Sequence, residues 1–308
     1  MNLVSIVSSC YNGETYIRRY LDAIIAQTYR PLELILVNNG STDRTDDIIQ
    51  DYKKRLEDEH IAFKYINKAN EGLGAAINDG IKETTGEYLI WPDTDDILFP
   101  ESIERRVAFL EAHKEFGFVT TDGKTFLEDD LQNHINIIEA NVPKDGNMFK
   151  NVITGNVVYT PCGYMLRTSA FLDVNPTKSI FPSWYGQNIQ MLLPISYKYK
   201  CGYIKEPLYG RIDRKDSLSK KEWKESDDAW KRRVMGLEEI YVETLKSIGD
   251  EAVAYIPYIY YKDLRILNRL SRERNVNSHR KLRNTLVISM KMLFKEIVKS
   301  VYDLLRFR

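Results

Sequence analysis

The sequence predicts an α/β protein, a mostly parallel sheet flanked by helices with a helical extension at the C-terminal end. Three observations predict it. Short β-branched apolar runs alternate with stretches of helical apolar spacing over residues 3–91, the mark of strands joined by crossover helices. Polar clusters sit at the ends of the apolar runs, where open α/β sheets bind ligands. Beyond about residue 219 the helical spacing continues and no strand pattern returns.

The elements follow in order. "LVSIVSS" (3–9) reads as a buried strand, and residues 14–28 as a helix with Ile17, Leu21, Ile24 and Ile25 on one face. "LELILVN" (32–38) is a second strand. The helix over 42–56 takes Ser41 or Thr42 as its N-cap. "IAFKYIN" (61–67) is a third strand, 72–84 a glycine-led helix, and "EYLIW" (87–91) a fourth strand. A helix over 101–114 and a strand over 116–123 come next. Residues 124–160 read as a polar, irregular insertion. Order returns at 163–172, and 187–212 reads as a helix followed by a strand. The expected division is an α/β domain over 1–218 and a helical extension over 219–308.

Composition sets bounds. The 308 residues suffice for one large domain or a domain plus an appendage, and 43% hydrophobic content supports a sizeable core. Net charge is zero, yet residues 262–308 carry 13 Lys/Arg against 4 Asp/Glu, so that end is expected to face an anionic surface. Cys10, Cys162 and Cys201 are odd in number and lack metal-type spacing, which points to a reducing compartment. The N-terminus lacks the pattern of a signal peptide, and no run of 18 apolar residues occurs. The expected location is cytoplasmic, with peripheral contact on the inner face of the membrane. No nucleic-acid motif accompanies the basic tail, so nucleic acid is not an expected partner.

The chemistry concentrates in "DTDD" (93–96), after the fourth strand. Three carboxylates in four positions repel one another unless water or a cation screens them. One reading is Mg²⁺ or Mn²⁺ bridging protein and diphosphate, since such ions are held by one or two carboxylates plus phosphates. The other is a solvated turn ahead of a helix. "NNGSTD" (38–43) is a turn and helix start that also offers N–H groups and amides to a nucleotide. "NEGLG" (70–74) fails the G-x-G-x-x-G template, because position 77 is isoleucine.

Taken together, "SCYNGETYIRRYLDAIIAQTYRPLELILVNNGSTDRT", "NEGLGAAINDGI", "TGEYLIWPDTDD" and "IKEPLYGR" resemble family 2 glycosyltransferases of the GT-A fold, of bacterial surface-polysaccharide type. The resemblance runs over roughly residues 3–215. It implies an inverting transfer from a nucleotide-sugar donor to a glycan or lipid-linked acceptor. It implies Mn²⁺ or Mg²⁺ on Asp95 with Asp93, the latter also near the ribose, and Asp96 beside the sugar or acceptor. It further implies a donor pocket of Ser9, Tyr11, Asn12, Glu14, Asn39, Gly40, Ser41, Asn70, Gly72 and Asn78.

Departures from the family pattern carry information. Asn38-Asn39 stands where the family has two aspartates; Asn39 can still accept from a base through its carbonyl, so UDP remains the expected carrier. Ile77 replaces a basic residue. Gln187-Asn188 stands where the family has Glu-Asp, and neither amide can take a proton. Three readings stay open: an acidic acceptor needing no strong base, another carboxylate such as Asp122 or Asp96, or a non-catalytic relative that supports a partner transferase. Arg214 stands where a histidine is frequent, and can bind the departing diphosphate bidentately or belong to a solvated loop. Trp184 and Tyr185 read as a sugar platform or as packing. The stretch 284–308 has helical apolar spacing with Lys291, Lys295 and Lys299 four apart, a pattern for lying on anionic lipid or for packing on protein.

Overall fold

The computed structural model describes residues 1–157, 160–214, 227–259 and 290, with side chains of 227–231 left aside. The chain divides into two compact units. One comprises Met1–Val152 with Val157–Arg214, the other Ile153–Asn156 with Lys215–Arg308.

In the first unit, β1 (Val4–Cys10), β2 (Leu32–Asn39), β3 (Ile61–Lys68) and β4 (Tyr88–Ile90) pair in parallel, in the spatial order β3-β2-β1-β4. Their crossovers are α1 (Ile17–Ile25), α2 (Thr45–Asp58) and α3 (Leu73–Lys82). The period-two alternation of the strands assigns the two faces. Ile6, Leu34 and Leu36 share a core with Ile17, Leu21 and Ile24 of α1 and Ile48, Ile49 and Leu56 of α2. Val7, Ile35 and Val37 point the other way, onto α3. There Gly80 lets the helix close on the sheet, since a Cβ would lie 2.5 Å from Val7 Cγ1. Every residue of β2 is buried, as a parallel strand covered on both faces requires.

The sheet continues through β8 (Tyr164–Arg167), β6 (Phe116–Leu127), β9 (Lys200–Asp213) and β5 (Ile97–Leu98). In chain order these elements are β5 (Ile97–Leu98), α4 (Ser102–Ala112), β6 (Phe116–Leu127), β7 (Asp130–Ile138), α5 (Phe149–Ile153), a 3-10 turn at Pro161–Gly163, β8 (Tyr164–Arg167), α6 (Thr168–Val174), α7 (Gln187–Lys198) and β9 (Lys200–Asp213). β8 is antiparallel to both β4 and β6, whereas β9 runs parallel to β6. The second unit contains α8 (Asp227–Ile248), which buries Ile240, Tyr241 and Leu245, and α9 (Asp250–Val253).

The structure corrects two expectations of local structure. The supposed irregular insertion begins with a hairpin: β6 extends to Leu127 and β7 pairs back against it. The second helix starts at Thr45 rather than at 42, because the Asp43 carboxylate accepts from the Thr45 N–H at 3.0 Å while Ser41 and Thr42 serve other partners. The helix expected over 284–308 lies outside the described residues, Met290 apart. No described helix is long and apolar enough to cross a membrane. All three cysteines are free and buried.

Candidate functional site

The loops at the carboxyl ends of β1 and β2 are sewn together. Asn12, in the left-handed region at φ +50°, donates its N–H to Ser41 Oγ at 3.0 Å, and its Oδ1 accepts from the Thr42 N–H at 2.8 Å. The Gly13 N–H reaches Thr45 Oγ1 at 2.7 Å. The Glu14 N–H reaches Asp43 Oδ2 at 3.0 Å, and Glu14 Oε2 accepts from the Arg44 N–H at 3.1 Å. The loop after β3 joins the same rim. Asn39 donates through Nδ2 to Asn70 Oδ1 at 3.2 Å, and its Oδ1 accepts from the Glu71 N–H at 3.4 Å. Gly40 sits at φ +77°, where a Cβ would stand 2.6 Å from the Asn70 nitrogen. Only glycine gives both that angle and that approach. Thus Asn12, Glu14, Asn39, Gly40, Ser41 and Asn70 form one connected rim, with Tyr11 half exposed beside it.

The loop after β4 is tied to the end of β1. Ser8 Oγ donates to the Pro92 carbonyl at 2.7 Å, and Thr94 Oγ1 to the Ser9 carbonyl at 3.2 Å. This sets three carboxylates against that end of the sheet. Asp93 receives one long hydrogen bond, from Gln187 Nε2 at 3.4 Å, and burial holds its carboxyl well above the usual range, with Asp95 and Asp96 adding to the effect. Asp96 accepts from the Ile212 N–H at 2.9 Å and faces the Cys162 thiol at 3.9 Å. Its carboxyl is pushed up to about 8, by burial first and then by Asp95. Asp95 has 35% of its side chain exposed.

Two arginines close this corner. Arg19 of α1 donates from Nη2 to the Asp95 carbonyl at 2.6 Å. Arg214, just past β9, places Nη1 3.3 Å from Asp95 Oδ2 and Nε 3.3 Å from Glu128 Oε1, over the Tyr16 ring. Arg19, Tyr16 and Glu128 escaped sequence reasoning. Arg19 and Tyr16 read there as ordinary helix residues, and Glu128 lies in the stretch taken as irregular.

The donor set suits a hard cation of modest protein coordination. Among the described residues no group of three or more His, Cys, Asp and Glu is disposed to hold a metal. Asp93 and Asp95 would supply two carboxylates, the number Mg²⁺ or Mn²⁺ commonly takes before completing its shell with phosphate and water. The raised carboxyls of Asp93 and Asp96 follow from burial first, with the neighbouring aspartates adding to it.

The remaining predicted residues have the following neighbours. Asn78 is buried, and its amide is engaged at both ends: Nδ2 donates to the Ile180 carbonyl at 2.8 Å and Oδ1 accepts from the Ile180 N–H at 2.7 Å. Asp122 Oδ1 accepts from the Ala140 N–H and the Tyr203 hydroxyl, each at 2.8 Å. Asn188 accepts from Trp91 Nε1 at 2.7 Å. Gly72, at φ +92°, lies against the indole of the exposed Trp184.

Comparison with known proteins bears on the family and the fold. A family profile described as "Glycosyl transferase family 2" matches residues 5–174. EpsE of Bacillus subtilis, named as a glycosyltransferase, is 31% identical over 235 residues, covering 75% of this chain and 76% of EpsE. An uncharacterized glycosyltransferase of Rickettsia felis is 30% identical over 207 residues, 63% of this chain and 32% of that protein. The chain thus spans about a third of the Rickettsia relative. Among solved structures, S. aureus TarS 1-349 in complex with UDP-GlcNAc aligns with a TM-score of 0.60 at 17% identity, over 94% of this chain and 80% of that one. The mannosyltransferase PcManGT of Pyrobaculum calidifontis, in complex with GDP-Man and Mn²⁺, aligns at 0.53 and 15% identity, over 94% and 81%. At those identities the likeness shows the fold, which is GT-A. The profile match over more than half of the chain and the likeness to most of EpsE show that the chain belongs to glycosyltransferase family 2.

Proposed function

We propose that the protein transfers a sugar, with inversion, from a UDP-sugar to a glycan or lipid-linked acceptor in cell-surface polysaccharide synthesis. The observation that carries this reading is the meeting of Asp93, Asp95 and Asp96 with the sewn rim of the β1, β2 and β3 loops. Asn39 keeps a second lone pair on Oδ1 for a base N–H. Asp95, with Asp93, would hold Mn²⁺ or Mg²⁺, which when bound neutralises charge on the departing diphosphate. Arg214 adds a bidentate phosphate contact.

For the proton, Asp96 is the candidate carboxylate that adjoins Asp95; it accepts from the Ile212 N–H, whereas Asp122 accepts from both Ala140 and Tyr203. The acceptor hydroxyl gives its proton to Asp96 as its oxygen bonds to the anomeric carbon. The carbon–phosphate oxygen bond breaks, and the nucleoside diphosphate leaves. Gln187 orients Asp93 rather than moving a proton. The amides at 187 and 188 also favour a second reading, a non-catalytic donor-binding relative that supports a partner transferase.

Nucleotide release from a panel of UDP-sugars, with and without Mn²⁺, decides between them. Metal-dependent release is expected; binding without release, even with a lysate supplying acceptors, would favour the second reading. The basic stretch over 262–308 supports contact with anionic lipid. Flotation with anionic vesicles, comparing the full chain with one ending near Ser278, tests that contact, and equal flotation would refute a role for the tail.

A further inference from the structure

Arg214 already sits on the carboxylate assigned to the cation. Its Nη1 is 3.3 Å from Asp95 Oδ2, and its Nε is 3.3 Å from Glu128 Oε1. The guanidinium carbon stands 4.4 Å from the centre of the Tyr16 ring, and only 11% of the side chain is exposed. This is a seated guanidinium, held among the described residues by Asp95, Glu128 and Tyr16, unlike a solvated surface arginine. Arg19 adds a second positive charge at the same corner, through the Asp95 carbonyl.

A divalent ion on Asp95 would sit about 2 Å from its carboxylate oxygen, inside the shell that Arg214 fills. Like charges at that separation repel, and the shielded setting weakens screening. A nucleoside diphosphate changes the balance. Its phosphate oxygens offer the arginine fork an acceptor of matching geometry, and they supply the anionic ligands the ion lacks. Glu128 and Tyr16 hold the guanidinium at the corner during the exchange, so a pivot of the fork suffices.

We propose that Arg214 and the divalent cation compete for Asp95, so that the site takes the cation poorly alone and well only together with a nucleoside diphosphate, as Arg214 passes from carboxylate to phosphate. The inference rests on the donor-and-cation reading above and adds to it a binding order enforced by a built-in counter-ion.

The test measures Mn²⁺ binding to the full chain from the paramagnetic resonance signal of free Mn²⁺, with Mn²⁺ alone and with added UDP, corrected for Mn²⁺–UDP formed in solution. In the unaltered protein UDP is expected to tighten Mn²⁺ binding about tenfold or more. Arg214→Gln is expected to tighten binding of Mn²⁺ alone by about tenfold and to shrink the UDP effect. Arg214→Lys keeps the charge and is expected to leave Mn²⁺ alone as weak as in the unaltered protein. Circular dichroism and melting of each variant check folding. If Arg214→Gln binds Mn²⁺ alone no tighter while the unaltered protein still binds Mn²⁺ with UDP, the competition is overturned and the donor reading survives. If the unaltered protein binds Mn²⁺ neither alone nor with UDP, the donor-and-cation reading itself falls.

Discussion

Asn78→Ala separates a structural role from a ligand-binding one at a position the family resemblance assigned to the donor pocket. In the structure the Asn78 amide bonds both backbone groups of Ile180, at 2.8 and 2.7 Å. Gly74 N–H to the Ser183 carbonyl at 2.8 Å and Gln190 to Phe181 complete a clamp on the segment that leads into Gly186 and α7. Ile180 is buried, so truncation leaves an N–H and a carbonyl away from water. Each lost bond, with the desolvation left behind, costs about 1–2 kcal/mol, for a total of about 2–4 kcal/mol. Amide exchange at Ile180 should accelerate about 30- to 1,000-fold if it opens locally. For a unit of this size the melting midpoint should fall by about 2–4 °C per kcal/mol. UDP affinity, measured below the transition, should change far less than it does in Asp95→Asn. An unchanged midpoint with a large loss of UDP affinity would refute the clamp and return Asn78 to the nucleotide.

Other outcomes follow from the same geometry. Asp95→Asn should abolish Mn²⁺-dependent nucleotide release, while stability moves by less than ~1 kcal/mol because the side chain is 35% exposed; retained metal-dependent release would refute the assignment. Gly40→Ala, at φ +77° with its Cβ 2.6 Å from Asn70 nitrogen, should cost at least ~1–2 kcal/mol in urea unfolding and weaken UDP binding; an unaltered midpoint would show that the rim yields. Glu111 is held down to about 2 by hydrogen bonds from Lys114, then Tyr88, with Asn2 also donating. Because its folded value lies below its ordinary 4.5, its contribution is fully present above that value and is lost as pH falls from 4.5 toward 2. Glu111→Gln should therefore flatten melting against pH in that window, modestly and less so in high salt; parallel curves would count against the network.

The parallel half of the sheet was legible because its causes are local. The apolar runs of β1 and β2 and the 3.6-residue spacing in α1 and α2 are written in neighbouring residues, and the polar loops at strand ends follow from topology. The hairpin was not legible. Seven of the nine residues of β7 are exposed and one is intermediate, so no buried face imposes a period-two pattern on "DLQNHINII". β5 is two residues long and exists by virtue of its pairing with Tyr209 and Gly210 of β9. The acidic triad was visible as a motif, but its partners arrive from far along the chain. Gln187 lies 94 residues from Asp93 and Arg214 lies 119 from Asp95. Such contacts are set by how the sheet closes, which no window of sequence reports. Asn78 shows the converse: a motif position can be used by the scaffold.

The burial of every thiol has a practical consequence. Cys10 is pushed up to about 12 by burial, and Cys162 and Cys201 are raised as well. The thiolate is the species that reacts, so an alkylating reagent in neutral buffer should find almost nothing to modify until the first unit opens. A cysteine introduced at an exposed position, such as Leu131 on the hairpin, would carry a fluorophore without competition from the native three. Their slow labelling would then serve as a clock for unfolding in the same tube.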